Sequence, residues 1–386
     1  MDPLTEFFDA IRSPVTRRKY EKMPDLFLGH IGIKGATFEE RARSFASRAR
    51  DVQSASMVIN DYMRYQKERA LRKEISESTV LDYYKPIKLF LEMNDIVLNW
   101  KKIARRIPRG SSHADDRAPS KDEIRRILTY PDRRIKPIVF TMASSGIRVG
   151  AWDYLNFEDV VPVDREGMIV AAKLTVYRGT DDEYKTFISP EAYKALQEYI
   201  EFRRSSGERI GPKSPLVRDL FHPDRGAKGE PHIPKRLKSS GVKRLIEKAL
   251  KGTGVRMQLE EGKRRYEFQA DHGFRKFFKS ACERHMKTLH VEMLMGHDIG
   301  LSASYYRPSE DELLASYTRA LSDLVVSEEE ELRRELTKNI VVSDRKIGEL
   351  ERYSIKLQER LEKIEKDYNE LRRLIEESAG SGHRQP

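Results

Sequence analysis

Residues 271–297 read DHGFRKFFKSACERHMKTLHVEMLMGH. The stretch predicts a long helix from about Asp271 to His285 and a shorter one from Thr288 to Met295, stopped by Gly296. His272 and Arg275 are three apart and share one helical face near the N-terminus, and His297 follows directly on the stopping glycine. Working outward, SSGIRVGAWDYL (144–155) places Arg148 where one helix ends and another begins, just after a glycine that permits a tight bend. On the other side, ASYYRPSEDEL (303–313) sets Tyr305 and Tyr306 eight and nine residues beyond His297. Singly, each pattern has a plain explanation: an arginine is commonly a surface charge and a tyrosine pair commonly packs. Together and in this order they carry more.

The surrounding region is mixed α/β. MIVAAKLTVY (168–177) and EYKTFIS (183–189) read as two strands joined by the turn-rich RGTDD, with Lys173 on the first and Lys185 leaving the turn on the second. Ser189-Pro190 then opens a helix with proline at its first position. Upstream, Ser120 and Glu123 form a capping box ahead of KDEIRRIL. Further on, Lys228 to Pro234 reads as loop, SGVKRLIEKAL (240–250) as helix and KGTGV as a turn. The first hundred residues are helical throughout, with Ser13 and Thr16 framing one start and Ser78 and Thr79 as caps of another. IPRGSSHADDRAP, with two prolines and no apolar periodicity, breaks the chain.

The tail differs again. Ile347, Leu350, Leu357, Leu361, Ile364, Tyr368, Leu371 and Ile375 follow a and d spacing, with Ser354 as one polar a position. Nine acids balance nine bases between Arg345 and Ser378, so four mixed-charge heptads argue for a coiled coil over a lone helix folded back on its own domain. The expected organisation is a helical domain over 1–107, a linker over 108–118, a mixed domain over 119–325, a coiled-coil tail over 326–378 and a disordered end over 379–386. The fold class is mainly α with a small β-hairpin or sheet.

Charge and composition narrow the function. Of the net +11, the segment from Val326 onward carries 13 bases and 15 acids, which leaves +13 on residues 1–325 and favours a polyanionic partner. No window approaches the ~20 apolar residues of a membrane span. The N-terminus lacks a secretory h-region, and the single Cys282 excludes an internal disulfide, so a reducing, cytoplasmic setting is expected. His285 and His290 lie among Cys282, Glu283 and Glu292 but fit no standard zinc spacing. His222 and His232 read as solvated loop residues, Trp100 and Trp152 as core or domain-interface residues, and the bases from Lys235 to Arg244 as a solvated face or as phosphate contacts.

Arg148, a hairpin lysine, His272-x-x-Arg275, Gly296-His297 and a tyrosine about nine residues on resemble the tyrosine recombinases, the phage-integrase family, over roughly Pro119 to Tyr317. The helical first domain resembles that family's core-binding, DNA-clamping domain. YYRP followed by SEDELL and the heptad tail looks most like its archaeal branch. The resemblance implies a site-specific recombinase or integrase of mobile elements, acting on double-stranded DNA as a homotetramer on paired sites, nucleoid-associated, with a covalent 3′-phosphotyrosyl intermediate. It implies neither metal nor nucleotide cofactor.

The chemistry makes sense of these types. Attack on a phosphodiester builds negative charge on the non-bridging oxygens, and Arg148 and Arg275 can each offer a planar fork, with His297 as a third donor. A phenol, with an ordinary pKa of about 10, must lose its proton as it attacks. The family implies His272 as proton acceptor, Tyr306 as nucleophile with Tyr305 as the alternative, and Lys185 as the acid for the departing 5′ oxygen with Lys173 as its competitor. One departure stands out. Relatives often carry Glu or Asp three residues after the first arginine, where Ala151 stands here, with Asp153 two further on. Two other readings share the composition: a type IB topoisomerase-like activity that relaxes supercoils, and a catalytically silent architectural DNA-binding protein. The tail is expected to self-associate or to bind another protein.

Overall fold

The computed structural model describes residues 2–12, 14–108, 117–220, 235–257, 266–300 and 305–380. Most of the expected linker, the loop from Lys228 to Pro234, His222, His232, Ser13 and all but two residues of the expected disordered end lie outside the described residues. The chain divides into two compact units, Met1–Asp115 and Asp116–Pro386.

The first unit is helical among its described residues: α1 (Pro3–Asp9), α2 (Pro14–His30), α3 (Phe38–Arg48), α4 (Val52–Leu71), α5 (Glu77–Glu92) and α6 (Trp100–Ala104). Thr37 and Asp51 cap α3 and α4 by accepting backbone N–H bonds from Glu40 and Ser54. The cap of α5 is Ser76, whose hydroxyl accepts the Thr79 N–H at 3.2 Å, and not Ser78 or Thr79 as expected, because the helix begins earlier, at Glu77. Aromatic residues tie the helices together. Phe27 meets Phe45 edge-on at 5.2 Å between centroids, Phe7 meets Phe90 at 5.4 Å, and Trp100 packs edge-on against Tyr84.

The second unit opens on α7 (Lys121–Leu128) with the expected capping box between Ser120 and Glu123 in place. Then comes α8 (Ile135–Ser145), an apolar helix buried at every position but Lys136. Gly146 ends it at φ +62°, and a 3-10 turn follows from Val149 to Asp153. The sheet has three antiparallel strands in the order β1 (Val160–Arg165), β2 (Met168–Val176) and β3 (Tyr184–Ile188). The last two are the expected hairpin. β1 is the missed edge strand: Glu166 and Gly167, at φ +54° and +77°, make the tight turn to β2, and Pro162 is tolerated because no further strand needs its missing N–H.

Next is α9 (Pro190–Ser205), capped by Ser189 with proline at its start, then α10 (Ser239–Thr253), α11 (His272–Cys282), α12 (Thr288–Leu294) and α13 (Glu310–Leu324). The first helix of the opening stretch therefore stops at Cys282, short of the expected His285. Trp152, Phe274, Phe278 and Tyr317 belong to one continuous core that also takes in β2 and β3. Beneath α9, Glu208 is buried between Arg203 and Arg218, accepting their N–H groups at 3.0 and 2.9 Å.

The tail is one helix, α14 (Glu328–Gly380). Its root is pinned. The buried Glu191 accepts the backbone N–H of Val326 and of Ser327, each at 2.9 Å, while Glu331 pairs with Lys121 and Arg125, and Glu329 with Lys194. Val326 is fully buried in the second unit's core, so the segment that begins the expected tail is part of that core, and the solvated helix starts after it.

Candidate functional site

Two glycines build the site. At Gly146 a Cβ would lie 2.6 Å from the Phe278 ring, so only glycine lets α11 pack this closely to the end of α8. At Gly296, φ is +63° and a Cβ would overlap the Tyr184 ring. These two bends bring Arg148, Arg275 and His297 together from three separate segments. Arg275 is 7% exposed, and its guanidinium donates to the carbonyls of Gly146 and, at 3.4 Å, Met295. It also lies 2.6 Å from His297 Nε2. Arg148 is exposed and donates to the Gly296 carbonyl at 3.0 Å. Burial, and then the like charge of Arg148, lower the Arg275 pKa from its ordinary value. Among the described residues neither guanidinium is paired with a carboxylate; both donate to backbone carbonyls.

The orienting carboxylate that the departure at Ala151 leaves in question is supplied differently. Ala151 is fully buried in the core, and Asp153 instead accepts from the Ser239 backbone N–H at 2.7 Å and hydroxyl at 2.8 Å at the start of α10. Backbone carbonyls orient Arg275. Glu292 takes the other role: it accepts from His297 Nδ1, and Lys279 donates to its second oxygen at 2.6 Å. Burial alone would raise the Glu292 carboxyl, but the hydrogen bonds from Lys279 and His297 outweigh it and hold it below the usual range. The other ring nitrogen, His297 Nε2, is the one that meets Arg275. Sequence reasoning met Glu292 only as a member of a rejected zinc grouping. Its signal was a carboxylate on α12, five residues before His297, visible only once the helix is seen to turn back at Gly296.

Tyr184 and Tyr177 form the apolar side. Burial pushes the Tyr184 phenol up to about 12 and raises Tyr177 too, while the two arginines pull both the other way. His272 is exposed in the first turn of α11, three residues ahead of Arg275.

The lysines lie on neighbouring strands. Thr175 pairs with Lys185 and Lys173 with Phe187, so the two lysines are diagonal neighbours on one face. Both reach Glu310 in the first turn of α13, Lys173 at 2.9 Å and Lys185 at 3.7 Å. The placement does not choose between them.

The tyrosines are separated by environment. Tyr305 is 88% exposed. Tyr306 is half-buried and its hydroxyl lies 2.5 Å from His290 Nε2, 3.0 Å from Glu312 and 3.5 Å from Lys287. The His290 ring lies nearly parallel to the Tyr306 ring, and Ser316 holds its Nδ1 at 2.9 Å. Among the described residues neither arginine nor His297 hydrogen-bonds Tyr306. The tyrosine is thus held by a second polar cluster, which sequence reasoning missed because it weighed His290 only as a zinc ligand and set it aside. His285 goes elsewhere, to Asp323 at 3.2 Å, and among the described residues no three His, Cys, Asp or Glu side chains form a metal-holding group.

The basic run after residue 234 divides. Arg236 is structural, donating to Leu155 and Asn156, whereas Lys235, Lys238, Lys243 and Arg244 are exposed.

No protein-family model matches the sequence, and no curated protein matches it. Several solved structures are similar. A XerA recombinase is 21% identical, with a TM-score of 0.36 over 82% of this chain and 96% of that one. A XerH site-specific recombinase bound to palindromic difH substrate in a post-cleavage complex is 12% identical, with a TM-score of 0.45 over 72% of each chain. A lambda integrase dimer bound to a COC′ core site is 16% identical, with a TM-score of 0.40 over 79% of this chain and 75% of that one. With every one of these TM-scores below 0.5, the function is left to be argued from the side chains of this chain.

Proposed function

We propose that the protein is a site-specific recombinase of the tyrosine type, which cuts double-stranded DNA through a 3′-phosphotyrosyl intermediate and rejoins it to a new partner. One observation carries this reading. Arg148, Arg275 and His297, from three separate segments, meet at two glycine bends: Arg148 donates to the Gly296 carbonyl, and Arg275 donates to the Gly146 carbonyl and lies 2.6 Å from His297 Nε2. Two forks and an imidazole there suit the non-bridging oxygens of a phosphodiester and the extra charge they gain on attack.

In this reading Tyr306 leaves His290 and Glu312, its oxygen bonds to phosphorus, and its proton passes to His272 or to solvent. The P–O bond to the 5′ oxygen breaks, and Lys185 supplies the proton that oxygen needs, with Lys173 beside it. The new ester keeps the energy of the broken one, so rejoining requires no nucleotide and no metal. The first unit is assigned to clamping the duplex, the assembly on paired sites to four copies, the setting to the cytoplasm and nucleoid, and the type to the archaeal branch.

The test is a nicked suicide substrate that traps the covalent adduct. Wild type should form it in excess EDTA, Tyr306→Phe should bind DNA and form none, and Tyr305→Phe should retain it. An adduct that needs Mg²⁺ overturns the mechanism. Relaxation of supercoils without exchange between paired sites would assign a topoisomerase instead. Binding with no adduct from either tyrosine would leave an architectural protein.

A further inference from the structure

Among the described residues, the tail helix carries an uncovered apolar seam from Ile347 to Leu371. Its apolar a and d residues are between 44% (Leu357) and 67% (Leu350) exposed. We infer that this face pairs with the same segment of a second copy of the chain, as a parallel, in-register two-stranded coiled coil.

The occupant, orientation and register all follow from flanking charge. In a parallel pair, each g residue faces the e residue five positions on in the other helix. The g positions are Lys346, Tyr353, Arg360 and Asp367, and the matching e positions are Glu351, Gln358, Glu365 and Arg372. In register, Lys346 meets Glu351, Arg360 meets Glu365 and Asp367 meets Arg372: every charged pair is opposite in sign. A slip of one heptad sets Arg360 of one helix against Arg372 of the other and Asp367 of the second against Glu365 of the first, and it keeps no attractive pair. The antiparallel arrangement over the same span places Arg360 against its own copy and Glu351 against Glu365.

The polar a position agrees. In register Ser354 meets Ser354 and the two hydroxyls satisfy each other. In every other arrangement Ser354 faces an apolar side chain, a cost that selects register as buried polar a residues do. Arg372 at present rests on Glu376 at 3.1 Å within its own helix, a contact it can share with Asp367 of the second copy.

Disulfide trapping in the full-length protein tests this without reference to DNA cleavage. Cys282 is fully buried, so an introduced thiol is the accessible one. Ser354→Cys should cross-link to itself under mild oxidation, and Ile364→Cys should do the same. If neither does so alone but the mixture of the two cross-links, the pairing is antiparallel and the inference fails. A monomer by sedimentation at every concentration, with no cross-link, overturns the occupant. As a second arm, Glu365→Lys should weaken the dimer roughly three- to tenfold and the double variant R360E/E365K should restore it. No loss on Glu365→Lys, or no recovery in the double variant, rejects the register.

Discussion

Replacing His290 with leucine should speed the first cleavage event. The Tyr306 hydroxyl now lies 2.5 Å from the buried His290 ring, and that contact must break before the oxygen can reach a phosphate. A neutral hydrogen bond of this kind is worth about 1 kcal/mol net, so its loss should shift the tyrosine toward release by about fivefold. On pre-bound suicide DNA, His290→Leu should therefore form the adduct about fivefold faster in a single turnover, and His290→Gln, which can still bond Tyr306, should stay near wild type. Thermal unfolding of both variants controls for damage. A tenfold or larger fall in rate at an unchanged melting temperature would refute the holding role and place His290 in the chemistry.

The same histidine has a pH signature. Burial above all, helped by the positive charges of Lys287 and Arg319, keeps the His290 pKa below its ordinary 6.5, with Glu312 pulling the other way. The unfolded imidazole takes a proton that the folded one refuses, so this contribution to stability is complete above about pH 6.5 and is lost as pH falls through the depressed pKa. Urea unfolding followed from about pH 7 to about pH 5 should show a fall in stability that His290→Leu lacks.

Three further outcomes are expected. Gly296→Ala forces a Cβ into the Tyr184 ring at φ +63° and should cost roughly 1–3 kcal/mol in urea unfolding, with loss of the adduct. Glu208→Ala leaves Arg203 and Arg218 buried without their shared carboxylate and should cost about 3–5 kcal/mol by the same measurement, while Glu329→Ala on the exposed tail root should change stability by less than about 1 kcal/mol. With DNA carrying sulfur at the bridging 5′ position, a leaving group that needs no proton, Lys185→Met should be rescued and Lys173→Met should not. The opposite pattern would move the acid to Lys173.

What was legible in the sequence was what is local. Gly146 ahead of Arg148 and Gly296 ahead of His297 announce their bends because only glycine takes a positive φ cheaply, and Ser120-x-x-Glu123 and Ser189-Pro190 mark helix starts by chemistry within one turn. The heptads of α14 were legible because a long periodic seam needs no partner to be recognised. What was hidden is long-range. Nothing near Glu292 says that its oxygen will meet His297, and nothing near His290 says that Tyr306 will lie on it, since both contacts depend on chain reversals at Gly296 and beyond. β1 escaped because a strand with a proline, no buried residue and no alternation of exposure has a weak pattern of its own. The choice between Lys173 and Lys185 stays open for a geometric reason: antiparallel register puts both on one carboxylate.

That carboxylate has a thermodynamic consequence for ligand binding. Glu310 is already the counter-ion of Lys173 and Lys185, and it stands in the first turn of the helix that follows Tyr306. A phosphate that takes these lysines displaces an anion that stays attached to the chain, so no small ion escapes to bulk solvent and its dilution entropy is not gained. These two lysines should then contribute little to the salt dependence of DNA affinity, and Glu310→Gln should both tighten binding at low salt and steepen its decline as salt rises.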